Sequence, residues 1–140
     1  MQISRTLSML GFLAAGAVLG TVAQSSQTEA KQAPLYYELR TYTTLEGRLP
    51  ALHKRFKDHT MKLFEKHGMK NVVYFTPADK PNTLVYLLAH KDKASRDASF
   101  EAFRNDPEWI AARDASEKDG KIVEKVESVF LEPTEYSPMK

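Results

Sequence analysis

Four histidines, one tryptophan and an acid–base pair on a strand are the residues whose types could carry chemistry in this chain. His53, His59 and His67 share one helical stretch at separations of six, eight and fourteen. Neither i, i+3 nor i, i+4 spacing occurs among them, so no two imidazoles of this helix can share a metal ion. His53 and His67 lie on one azimuth, but fourteen residues at 1.5 Å each separate them by roughly 21 Å. No metal is therefore expected. His59 borders the apolar stripe at mid-helix, where a side chain can look into a cleft, and it is the first binding candidate. His67 ends the helix, where an imidazolium meets the partial negative charge of the last carbonyls, and reads as a cap. His90 ends a strand and is expected to face solvent. Trp109 anchors a short helix or lines a pocket, and it is the second binding candidate.

Glu38 and Arg40 stand two apart in a strand and so share a face. The expected arrangement is an ion pair on the face opposite the helices, either holding partners in register or recognising a polar ligand. Arg40 is accordingly the third binding candidate. Catalytic residues are not assigned: the chain has no G-x-S-x-G elbow, no glycine-rich phosphate loop and no zinc signature. With no cysteine at all, disulfides, thiolate metal sites and a cysteine nucleophile are excluded.

The elements that must position these residues follow from periodicity. Leu35 to Thr43 alternates and is rich in Tyr and Thr, as a half-buried strand would be. From Arg48 to His67, steps of 100° bring Leu49, Leu52, Phe56, Thr60, Leu63 and Phe64 into one stripe, with Pro50 in the first turn and Gly68 as the stop. Asn71 to Thr76 and Thr83 to His90 form a hairpin across the turn at Pro77 to Asn82. Ser95 to Arg104 is a short helix. Asp106-Pro107-Glu108 starts another that runs to about Lys118, with an acidic cap and proline at the first position. Ile122 to Leu131 is the last strand.

The order β-α-β-β-α(α)-β predicts an α+β fold of ferredoxin-like βαββαβ type. Its four-stranded antiparallel sheet carries helices on one face. Thr83 to His90 is apolar on both sides, Leu84, Tyr86 and Leu88 on one and Val85, Leu87 and Ala89 on the other. A sheet covered on one face should show polar residues on its second, so a second copy of the sheet is the expected cover.

Tyr37-Glu38-Leu39-Arg40-Thr41-Tyr42, Gly47, Leu63-Phe64-Glu65-Lys66-His67-Gly68-Met69 and Asp106-Pro107-Glu108-Trp109 occur in that order. Together they resemble the NIPSNAP family from about Leu35 to Pro133. The resemblance implies a dimeric α+β barrel in which two ferredoxin-like sheets face each other. It implies little chemistry, because bacterial members mostly lack an assigned reaction. Animal members are linked to mitochondrial signalling, a role this chain does not inherit, since it has a secretory-type leader and one copy of the domain.

Residues 1–23 read as a signal peptide: Arg5 precedes an apolar run from Leu7 to Ala23, and Thr21-Val22-Ala23 supplies small residues for cleavage. Residues 24–34 read as a flexible spacer, 35–133 as the domain and 134–140 as a tail. Cleavage leaves no stable membrane insertion and an exported, periplasmic or secreted protein. The 140-residue chain holds 20 Lys+Arg against 18 Asp+Glu, so no global field draws in nucleic acid, and none is expected as a partner. The basic first helix, with Arg48, Lys54, Arg55, Lys57, Lys62 and Lys66, faces a mostly acidic stretch from Asp92 to Asp119, which reads as mutual attraction. The expected function is that of a homodimer, paired through a sheet face, that binds a small apolar ligand or a partner protein without a cofactor. The alternative is a small barrel-type enzyme, a cofactor-independent oxygenase or isomerase acting on a small apolar substrate.

Overall fold

A computed structural model describes residues 35–139; the leader and spacer lie outside the described residues. Strand β1 spans Tyr36–Thr44, β2 Lys70–Phe75, β3 Thr83–His90 and β4 Val123–Leu131. They form one antiparallel sheet in the order β2-β3-β1-β4. Between β1 and β2 run helix α1 (Leu49–Arg55), a π-helical turn (Phe56–Thr60) and helix α2 (Met61–Lys66). Helices α3 (Lys93–Asn105) and α4 (Pro107–Ser116) return the chain to β4. This is the α+β arrangement that the element order predicted.

The punctuation works through the residues expected. Pro50 sits at the start of α1. After α2, Gly68 takes φ of 76°, its N–H bonding Glu65 O at 3.0 Å while Met69 N–H bonds Phe64 O at 2.9 Å. That pair is the Schellman closure, and it needs the left-handed residue that glycine supplies without strain. Asp106 caps α4, accepting the Glu108 N–H at 2.8 Å.

The core lies between the sheet and the helices. Leu52, Phe56, Leu63 and Phe64 meet Leu84, Tyr86 and Leu88 of β3, with Phe100 and Phe103 of α3 closing one side. The phase of β1 is the opposite of the one expected. Glu38, Arg40 and Tyr42 point toward the helices, as the bonds from Arg40 to Tyr86 and from Arg96 of α3 to Glu38 require. Tyr37 and Leu39 face the other side, opposite Ala89 and Leu87. Alternation allows either phase, and the polar residues turn inward because two guanidiniums are there to neutralise the carboxylate. His90 also departs from expectation: it follows Leu88 on the helix-facing side and is 2% exposed.

The second face of the sheet carries Leu39, Val85 and Leu87, half-buried, and Val129 and Leu131 of the edge strand, both exposed. No described helix crosses it. The tail residues Pro133, Ser137 and Met139 border one end, framing a hollow of about 300 Å³ with Tyr37 and Leu87.

Candidate functional site

Two places on the helix-facing side concentrate polar chemistry, a buried charge network and an apolar groove. The network centres on Glu38, which is 0% exposed. Arg96 holds its carboxylate through Nε at 2.9 Å and Nη2 at 2.7 Å, and Arg40 Nη1 reaches it at 2.5 Å. Burial alone would push the Glu38 carboxyl up, but His90, Arg96 and Arg40 together hold it well below the usual carboxylate range. His90 Nε2 stands 3.4 Å from the carboxylate, and neither of its ring nitrogens has a geometrically formed hydrogen bond. Arg40 is further fixed by Tyr86 Oη at 2.9 Å, Ser128 Oγ at 3.2 Å and Tyr42 Oη at 3.3 Å. Its guanidinium also lies 4.7 Å from the centroid of Phe100. Both guanidiniums here are spent on protein acceptors, so the network clamps β1, β3 and α3 together.

The groove is different, because the chain leaves it unfilled. It lies between the first helical segment and the β2–β3 hairpin, has a volume of about 290 Å³, and is walled by Phe56, Met61, Tyr74 and Leu84, with Phe75 at its edge. The π-helical turn makes its floor. Met61 N–H bonds Phe56 O, five residues back. The Thr60 hydroxyl donates to Arg55 O at 3.2 Å, satisfying a carbonyl at the widened turn. A π-turn inside an α-helix is uncommon and often accompanies a functional site. Here it places Phe56 and Lys57 along the groove. His53 lies one turn before Lys57, with Nε2 3.4 Å from Thr76 Oγ1 across the groove mouth. Tyr74 lines the groove, but its hydroxyl is committed to Asn71. Burial, followed by the charge of Glu65, raises the Tyr74 phenol well above its ordinary value, so it stays protonated.

The three binding candidates from the sequence are not brought together. His59 is exposed and borders a shallow hollow of about 160 Å³ with Lys62, Lys66 and Glu108, away from the sheet. Trp109 of α4 packs against α3, its ring centroid 4.5 Å from that of Phe103 and 5.3 Å from the Arg55 guanidinium, in the anchoring role. Arg40 belongs to the charge network. His67 bonds Asp106 Oδ2 at 2.7 Å, tying the end of α2 to the cap of α4 instead of to its own last carbonyls. Of the groove residues, His53 was weighed from the sequence only as a metal ligand and Lys57 only as part of a basic helix face, while Tyr74 and Thr76 were not singled out. The legible signal was the i, i+4 pair His53 and Lys57 flanking Phe56; the π-turn left none. Among the described residues no group of His, Asp and Glu side chains could hold a metal ion.

Solved structures give the fold clear relatives. A NIPSNAP family protein of unknown function from Agrobacterium tumefaciens superposes with a TM-score of 0.67 at 25% identity, covering 76% of this chain and 95% of its own. An uncharacterized NIPSNAP domain protein from Burkholderia xenovorans gives 0.64 at 27%, covering 74% and 98%. A candidate antibiotic biosynthesis monooxygenase from Nitrosomonas europaea gives 0.51 at 17%, covering 69% and 95%, a likeness of fold alone. No curated protein matches the chain. The NIPSNAP family model matches residues 37–138, nearly the whole folded domain and all the motifs quoted above, so the chain belongs to the NIPSNAP family.

Proposed function

We propose that this NIPSNAP domain is a homodimeric binding protein that holds a small, largely apolar molecule in the groove between its first helical segment and the β2–β3 hairpin. The observation that carries the reading is the groove itself. Phe56, Met61, Tyr74 and Leu84 form a wall that no other described side chain fills. A volume of about 290 Å³ stands at the lower end of small-molecule sites, roughly 300–1,000 Å³. Binding is favoured over catalysis because His53 is hydrogen-bonded to Thr76 with no carboxylate in the groove to orient it as a general base, and the Tyr74 hydroxyl is already engaged.

Dimerisation is supported by the uncovered sheet face. Leu39, Val85, Leu87, Val129 and Leu131 form an apolar surface, and each large side chain left in water forfeits roughly 1.5–3 kcal/mol. A second copy brings the same surface and closes it symmetrically. The leader-like residues 1–23 support an exported mature form.

Native mass spectrometry of protein purified from its own host reads both parts. The parent should run as a dimer carrying a small non-covalent adduct. Met61→Trp, which fills the groove, should keep the dimer and lose the adduct. Leu87→Glu should give monomer. A parent without adduct overturns the ligand reading, and a monomeric parent overturns the dimer.

A further inference from the structure

The rim of the groove specifies its ligand more closely than its walls do. Resting on the binding role proposed above, we infer that the groove selects a small anionic amphiphile, a carboxylate on a short hydrocarbon or ring, with Lys57, His53 and Thr76 receiving the head group. Three polar groups stand at the mouth: the Lys57 ammonium, and the Thr76 hydroxyl and His53 imidazole, whose Oγ1 and Nε2 share a 3.4 Å hydrogen bond that leaves one donor of the neutral pair free. No acidic side chain lines the groove. Among the described residues no carboxylate lies within ion-pair distance of Lys57; Asp58, next to it in sequence, is taken by Lys54 at 2.5 Å. An unpaired ammonium beside an apolar trough complements a negative head on an apolar body. A neutral ligand would leave Lys57 unused, and a cationic one would meet it with repulsion. Phe56, Met61 and Leu84 supply the trough that the apolar body would cover. Several of the basic groups elsewhere on the molecule are already matched. Lys66 bonds Asp106 and Glu108, Arg55 bonds Glu117, and the Glu38 network consumes Arg40 and Arg96.

The test is calorimetric titration of the full domain with octanoate, 1-octanol and octylamine, each below its aggregation limit. Octanoate should bind roughly tenfold more tightly than 1-octanol, and octylamine most weakly. Lys57→Met should cut octanoate affinity about tenfold and leave 1-octanol unchanged. Lys62→Met, a lysine outside the groove, should change neither. Amide shifts at Phe75 and Met61 on titration place the ligand. Equal affinity for octanoate and 1-octanol, or an equal loss of both in Lys57→Met, overturns the anionic specificity while leaving the groove as a binding site. If none of the three probes binds or moves those amides, the binding role falls and the specificity falls with it.

Discussion

Replacing Glu38 by Gln removes one charge from the centre of the molecule and nothing else of comparable size. Glu38 is fully buried and accepts from Arg96 at 2.7 Å and 2.9 Å and from Arg40 at 2.5 Å. Arg40 has only 11% of its side chain exposed, so its charge cannot turn to water when the carboxylate is gone. Breaking a buried pair by removing one partner costs about 3–5 kcal/mol. Gln keeps one acceptor oxygen, so the lower end applies, about 3 kcal/mol. For a domain near 100 residues each kcal/mol moves Tm by roughly 4–8 °C, which gives a fall of roughly 12–24 °C. The pH dependence has a definite sign. The folded carboxyl titrates below its ordinary value of 4.5, so its contribution is full above about pH 4.5 and is lost as pH falls toward the folded value. The gap between parent and Glu38→Gln should therefore narrow on acidification below pH 4.5. Urea unfolding followed by circular dichroism measures it, and the Arg96→Met, Glu38→Gln double variant should lose less than the two single losses added. A Glu38→Gln loss under about 1 kcal/mol, or a gap that widens in acid, would refute the reasoning.

Two other perturbations bear on the helical segment. Thr60→Val removes the hydroxyl that satisfies Arg55 O at the π-turn, and should cost about 1–2 kcal/mol in urea unfolding with an unchanged m-value. Because that turn presents Phe56 and Lys57, octanoate affinity should fall with it. His67→Ala should lower Tm, since His67 bridges to Asp106. His59→Ala, at an exposed position, should stay within about 0.5 kcal/mol of the parent, and paired thermal melts compare the two.

The sequence determined the elements and their order, because those rest on local chemistry. Proline at the start of α1, glycine after α2 and Asp106 before α4 act through their own backbone and immediate neighbours, and the strands followed the two-residue alternation. The two-sided apolar pattern of β3 was equally plain, and it needed no coordinates to imply a cover for both faces. What tertiary structure alone decided is which face is which. Glu38-Leu39-Arg40 alternates identically whether the charges look toward helices or away, and only the arrival of Arg96 from α3, fifty-eight residues later, makes the inward choice stable. The same holds for His90, whose burial follows from the phase of β3. The groove was hidden for a further reason. A regular 100° step carries the stripe smoothly through Phe56–Thr60, but the chain forms a π-turn there, with Thr60 returning a hydrogen bond to Arg55. The widened turn packs against the hairpin through Phe56 on Tyr74, and Lys57 lines a mouth whose other side, Thr76, lies nineteen residues further along.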